Sequence, residues 1–337
     1  MNLAFLSYPQ WITPEVIPGL PIRWYGVMYL LAFGTAYLMV QRQRKKEKFA
    51  FSDDDVASYF FWGIIGLLLG ARILATTVYD PTGYYLRKPW LIFWPFDGAG
   101  NFTGLQGMSY HGGVLGAMAG TWLFTRRKKQ SWFEWADLVV VGIPLGYTFG
   151  RLGNFLNGEL YGRVTSLSWG MIFPGATRFP VSLAWVRDLA GRVGLELPAT
   201  GTVNLPRHPS QLYEAFFEGV FLWALLWFVF RKRKKFHGAL LSLYLMGYGF
   251  VRFFIEYTRE PDRDLGFPIE LVETHGEIYR FVSFFNFSTG QILCFLMIIS
   301  GALLYGILSR KGTPVREKGP DRVLPPSAKK KKKRKKH

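Results

Sequence analysis

Four short stretches of this 337-residue chain hold the residue types that do chemistry. Gly150–Gly162 reads GRLGNFLNGELYG and crowds Arg151, Asn154, Asn157 and Glu159 onto the end of an apolar run that begins near Ala136. Tyr110-His111-Gly112-Gly113 opens a second apolar run, and His208-Pro209-Ser210-Gln211-Leu212-Tyr213-Glu214 precedes and opens a third. Gly247-Tyr248-Gly249 with Arg252, Glu256 and Arg259 runs along the end of a fourth, where spacings of four put Tyr248, Arg252 and Glu256 on one helical face. An arginine at the centre of a membrane helix costs roughly 2.5–3.5 kcal/mol, so polar residues gathered at such places imply a polar ligand. Arginine's planar fork suits phosphate, and histidine is the proton acceptor whose ordinary pKa lies near neutrality. No pair of His or Cys has metal-ligand spacing, so neither a metal nor another cofactor is expected.

These residues need elements to carry them. Half of the chain is hydrophobic and 18% is aromatic, and several apolar runs are long enough to cross ~30 Å of hydrocarbon. Seven candidate spans stand at about 20–40, 56–79, 109–125, 136–153, 211–230, 239–258 and 289–309. The basic segments 41–48, 126–129 and 231–235 and everything after Ser309 then share one side, and they hold 27 of the 41 Lys and Arg. Cytoplasmic loops attract that excess, so the expected fold is an all-α polytopic membrane protein of seven helices with N-out/C-in topology. Residues 1–309 form the membrane domain in this reading. That domain includes two extracytoplasmic segments, 80–108 and 154–210, the second a small cap of short strands and turns. On this map all four polar stretches fall at the same outer depth.

Of the 14 basic residues elsewhere, only Lys88 is a lysine. Arginines such as Arg23 and Arg87 can simply reach lipid phosphates at the interface, but Arg72, Arg151 and Arg252 lie within expected spans. Residues 310–337 read as a disordered Lys-rich cytoplasmic tail, because closely packed like charges repel. No aromatic residue is interleaved with Lys329–Lys336, so no nucleic-acid partner is expected. Cys294 is the single cysteine and reads as a small buried hydrophobe. Residues 1–19 lack the basic region of a cleavable signal.

Each polar stretch also has a plainer reading. Tyr248 fits an aromatic belt, Arg252–Glu256 a structural ion pair, His111 a satisfied interfacial histidine, and His208-Pro209 a helix start with Ser210 near the N-cap. Convergence of four stretches at one depth favours a single site.

GRLGNFLNGELYG, HGG at 111–113, HPSQLYE at 208–214 and YGFVRFFIEYTREPD at 248–262 resemble, in kind and order, the bacterial prolipoprotein diacylglyceryl transferases. The resemblance extends from about residue 20 to 309. It implies a bacterial inner-membrane enzyme with its active site toward the periplasmic leaflet. Such an enzyme moves the diacylglyceryl group of phosphatidylglycerol onto the lipobox cysteine thiol of a prolipoprotein signal peptide, forming a thioether and releasing glycerol 1-phosphate. A thiol of pKa about 8.5 is only a few per cent thiolate at neutral pH, so a base or a positive field is required. By this likeness His111 is the expected proton acceptor and His208 a second candidate. Arg151 and Arg252 hold the phosphodiester, Asn154 and Glu159 order the site, Tyr25 and Tyr248 contact the headgroup, and Glu256 pairs with Arg252 or Arg259. Membrane lipid is the remaining partner. A phospholipid or anion transporter is the competing reading, and it calls for polar residues along the whole depth of the bundle.

Overall fold

A computed structural model describes residues 5–315 apart from 14, 18, 20–21, 48, 97–99, 101–106, 262–265 and 275–276. The expected disordered tail beyond residue 315 lies outside the described residues. Helices dominate: α1 (Trp24–Glu47), α2 (Asp53–Thr77), α3 (Tyr84–Arg87), α4 (Tyr110–Lys128), α5 (Trp132–Val140), α6 (Ile143–Leu156) and α7 (Ala184–Val193). They are followed by α8 (Ser210–Arg233), α9 (Ala239–Ile255, extended by a tight turn to Thr258) and α10 (Thr289–Lys311). Four of them, α2, α8, α9 with its turn, and α10, are long and apolar enough to cross a membrane. Local chemistry sets several starts. Ser52 with Asp55, and Ser288 with Gln291, form reciprocal capping boxes, and Ser109 and Ser131 cap α4 and α5 through single bonds.

The sequence reading placed one span at 136–153, where the structure has two helices. Pro144 supplies no N–H to the i−4 carbonyl, and Gly142 N–H turns back to Val139 O at 2.9 Å, so the axis breaks between α5 and α6. Segment 154–210 holds short strands, as expected, but also α7, whose Val186, Ala190 and Val193 recur on one face and are buried. The strands are β1 (Leu6–Ser7), β2 (Met171–Ile172), β3 (Phe179–Pro180) and β4 (Thr202–Val203). β1 pairs with β2 in parallel, Leu6 opposite Met171, and β3 pairs antiparallel with β4, Phe179 opposite Val203. The amino-terminal segment is thus part of the cap, and Tyr8 fastens it by donating to the carbonyls of Phe155 and Leu156 at the end of α6, both at 3.0 Å.

Two packing arrangements position the site. α2 and α4 meet through Gly66, Gly70, Gly112, Gly116 and Gly120, so closely that a methyl group on Gly66 would stand 2.2 Å from Gly116 O. Small residues at this spacing let helix backbones touch where lipid supplies no hydrophobic drive. On the other side, α6 and α8 touch where Gly219 faces Thr148, whose hydroxyl donates to Ala215 O at 3.2 Å. Below the level of the site, Val140, Val141, Leu222, Leu226, Trp227 and Leu240 form a buried apolar cluster.

Arg72 lies within a span, as the sequence suggested, but stands apart from the other polar stretches. It is 3% exposed, donates to the carbonyls of Ile92 and Gly107, and sits over the Tyr85 ring with its Cζ 5.2 Å from the centroid. Burial made carbonyl donation the solution for its charge, and it staples the 80–108 segment to α2.

The glycine contacts give a paired test. Gly66→Ala should destabilise the detergent-solubilised protein by ~1–3 kcal/mol through overpacking. Gly63→Ala, where a Cβ meets nothing within 4 Å, should be neutral or stabilising by up to ~1 kcal/mol. Thermal unfolding of both variants checks the contrast.

Candidate active site

Glu214 and Glu218 stand one turn apart on α8, and neither side chain is exposed. Two ionised carboxylates in an apolar helix demand cations, and three arginines supply them. Glu214 Oε1 accepts from Arg259 Nη1 at 2.6 Å, and its Oε2 accepts from Arg252 Nη1 at 2.6 Å with Arg151 Nε at 3.0 Å. Glu218 Oε1 accepts from Arg252 Nη1 at 3.4 Å. Arg252 Nη2 lies 3.0 Å from Glu256 Oε2, and Arg259 Nε lies 3.6 Å from the same oxygen. Ser288 Oγ, at the start of α10, donates to Glu256 Oε1 at 3.2 Å. In ionised form the three arginines balance Glu214, Glu218 and Glu256.

The end of α6 joins the same network. Arg151 Nε donates to Tyr147 OH at 2.6 Å and Nη1 to Asn154 Oδ1 at 3.3 Å. Asn154 Nδ2 in turn donates to Glu159 Oε1 at 2.9 Å. Tyr147 OH donates to Glu218 Oε2 at 2.6 Å, and its ring meets Tyr248 edge-on at 5.9 Å. The turn that carries Glu159 has two residues at positive φ: Gly158 at 65°, which glycine adopts freely, and Leu160 at 55°, where a Cβ costs ~1–2 kcal/mol. Ser210 Oγ and Gln211 Nε2 hold that turn by donating to the carbonyls of Leu160 and Glu159. Tyr25 closes the remaining side. It packs beside Gly153, within electrostatic reach of Arg151 and Glu159, and shares a hydrogen bond with Tyr29 at 3.1 Å.

The network thus joins Arg151, Asn154, Glu159, Tyr248, Arg252 and Glu256, with Tyr25 beside it. Neither His111 nor His208 is bonded to it. His111 lies exposed in the first turn of α4, with Nδ1 3.0 Å from Tyr79 OH. Its neighbour Tyr110 is 75% exposed yet feels the charges of Arg151, Arg252 and Glu218, so it faces the same space as the network. His208 belongs to the cap, with its backbone bonded to Gly162 and Arg163 and its Nδ1 3.4 Å from Tyr213 OH.

Sequence reasoning placed Arg259 and Glu214 in the converging polar stretches, gave Glu214 no role, and overlooked Tyr147 and Glu218. The available signal was two carboxylates four residues apart in an apolar helix, which cannot be buried without partners. The arginines also differ from a free anion clamp, since each already faces carboxylate. Open donors remain: among the described residues Arg151 Nη2 and Arg252 Nε make no hydrogen bond, and the two side chains are 18% and 14% exposed.

Burial, reinforced by the Arg163 guanidinium, pushes the His208 imidazole from 6.5 down to about 4, so it is neutral near pH 7 and a poor proton acceptor. A depressed folded value means that its contribution to stability is full above about 6.5 and is lost as pH falls through about 4. Thermal unfolding followed from pH 7 to pH 4 should therefore ease less steeply for His208→Gln than for the parent protein.

The chain is similar to known proteins over most of its length. A family model described as prolipoprotein diacylglyceryl transferase matches residues 14–307. A phosphatidylglycerol–prolipoprotein diacylglyceryl transferase of Treponema denticola is 53% identical, covering 94% of this chain and 98% of its own length. Those of Treponema pallidum and Chlorobaculum tepidum are 50% and 43% identical, over 88% and 87% of this chain and 93% and 89% of theirs. The matched region contains the whole arginine–carboxylate network, and the chain belongs to the prolipoprotein diacylglyceryl transferase family.

Proposed function

We propose that this protein transfers the diacylglyceryl group of phosphatidylglycerol to the lipobox cysteine thiol of prolipoproteins. The observation that carries the reading within the molecule is the set of three buried glutamates and three half-buried arginines, with open guanidinium donors beside it. The thiolate attacks the glyceryl carbon that bears the phosphodiester oxygen. A C–S bond forms, the C–O bond breaks, and glycerol 1-phosphate leaves. The phosphate goes from one negative charge to two, and fixed cations aimed at it are worth most where that charge develops. Arg151 and Arg252 face the phosphate, Asn154 and Glu159 hold Arg151, Glu256 holds Arg252, and Tyr25 and Tyr248 contact the glycerol headgroup. His111, at the rim beside Tyr110, takes the thiol proton, while His208 orders the cap.

The protein crosses the bacterial inner membrane seven times in this reading, with α5 and α6 together making one crossing. The amino terminus and the cap face the periplasm, and the Lys-rich tail faces the cytoplasm as a topology anchor. Transport of a lipid or anion is disfavoured by the apolar cluster around Leu222, Leu226 and Trp227, which interrupts any polar path across the bundle.

Purified protein in phosphatidylglycerol liposomes should convert a lipobox peptide to its thioether and release glycerol 1-phosphate, whereas a Cys→Ser peptide should remain unmodified. Absence of both products would overturn the assignment. Arg151→Lys and Arg252→Lys should each lower turnover ~100-fold or more, since a point charge does not reproduce the fork. Near-normal turnover in Arg151→Lys would remove phosphate recognition from that position. His111→Gln should lose most activity at pH 7 and regain part of it toward pH 9, where the peptide thiol ionises unaided. A pH profile parallel to the parent's would take His111 out of the base role.

A further inference from the structure

Tyr147 lies one helical turn before Arg151 on α6, outside the motifs that carry the family resemblance. Its oxygen is both acceptor and donor: Arg151 Nε donates to it at 2.6 Å, and its proton goes to Glu218 Oε2 at 2.6 Å, with Glu214 Oε2 the more distant acceptor at 3.2 Å. The Arg151 guanidinium also sits over its ring, with Cζ 4.7 Å from the centroid. The backbone leaves Tyr147 little room to move, because α6 and α8 are in contact at the next residue through Thr148 and Gly219.

The carboxylates around it are unequally compensated. Glu214 has three arginine nitrogens within 3.0 Å, from Arg151, Arg252 and Arg259. Glu218 has one arginine, at 3.4 Å, and its other oxygen is held by the Tyr147 hydroxyl. An undercompensated buried carboxylate attracts a guanidinium strongly, since charges in a medium of low dielectric are little screened. Neither Arg151 nor Arg259 contacts Glu218, and the group that stands between Arg151 and Glu218 is the Tyr147 phenol oxygen. Arg151 Nε–H is aligned on that oxygen, while its approach to Glu214 at 3.0 Å is a charge contact alone.

We propose that Tyr147 is a positioning residue that acts as a neutral spacer between Arg151 and Glu218, so that the guanidinium, with one carboxylate already beside it, does not take a second and keeps its open edge for the substrate phosphate. Without the hydroxyl, Arg151 turns onto Glu218, and each neutralises the other. The inference rests on the diacylglyceryl transfer proposed above and adds to it the residue that keeps the Arg151 edge open.

The experiment measures kcat and KM for phosphatidylglycerol with a lipobox peptide, for the parent, Tyr147→Phe, Tyr147→Gln and the double variant Tyr147→Phe/Glu218→Gln. A parent that makes no thioether sinks the proposed function itself. With an active parent, Tyr147→Phe should lower kcat roughly tenfold or more while KM stays within about threefold, because the phosphate gains its second charge only toward the transition state. Adding Glu218→Gln should raise kcat again, by about threefold or more over Tyr147→Phe, since the competing anion is gone. A purely structural tyrosine predicts the reverse, with the second substitution compounding the loss. A kcat for Tyr147→Phe equal to the parent's, or a double variant no faster than the single one, overturns the proposal. If Tyr147→Phe does not fold, Tyr147→Gln decides: its amide can accept from Arg151 and donate to Glu218, so kcat should stay within about threefold of the parent, and a tenfold loss in a folded protein overturns the spacer.

Discussion

The outer end of this bundle is organised around the two oxygens of Glu214. That carboxylate has no exposed surface and meets arginines from α6, from α9 and from the turn after α9, all within 3.0 Å. Burying an ion pair seldom adds net stability, but removing one partner leaves an uncompensated charge at a cost of ~3–5 kcal/mol. The interaction therefore acts as a specification of geometry: α6, α8 and α9 have to meet at one level and in one rotation for the charges to cancel. Glu256 and Ser288 extend the same requirement to the start of α10.

Much of this was legible in the sequence, for identifiable reasons. Arg252 and Glu256 are four residues apart on one helix, so their pairing follows from helical spacing. Arg151, Asn154 and Glu159 share one short segment, and the chain folds them onto one another. What joins these local groups is non-local. Nothing in the spacing of Glu214 and Glu218 names Arg151 or Arg259 as partners, because those contacts depend on how separate helices dock. Tyr147 was silent for a different reason: a tyrosine in an apolar run reads as core or belt, and its hydrogen bonds to Glu218 and Glu214 appear only when α6 and α8 are side by side. The helix ends were easier than the break at Gly142 and Pro144, which divides what hydropathy reads as one span.

The packing on either side of the network is unequal in kind. α2 and α4 approach through a line of glycines with backbone against backbone, which fixes the level at which His111 and Tyr110 emerge. Around α8 and α9, by contrast, Leu222, Leu226, Trp227 and Leu240 fill the interior with large side chains below the charges. The apolar layer keeps dielectric low beneath the arginines, and that strengthens every interaction they make above it.

The pairing of Leu6–Ser7 with Met171–Ile172 constrains the order of events in biogenesis. The strand at Leu6–Ser7 has to wait for its partner, which follows helices α1 to α6. At ~5–20 residues per second of synthesis, that wait is on the order of ten to thirty seconds. Through that interval Leu6 and Tyr8 have no cap to join, while α1 to α6 can already pack with their near neighbours in the chain. Closure of the cap is then a late, long-range step whose entropic cost is met only when α6 has presented its terminal carbonyls to Tyr8. The amino terminus works as a clasp, and it fastens after the helices beneath it have been laid down.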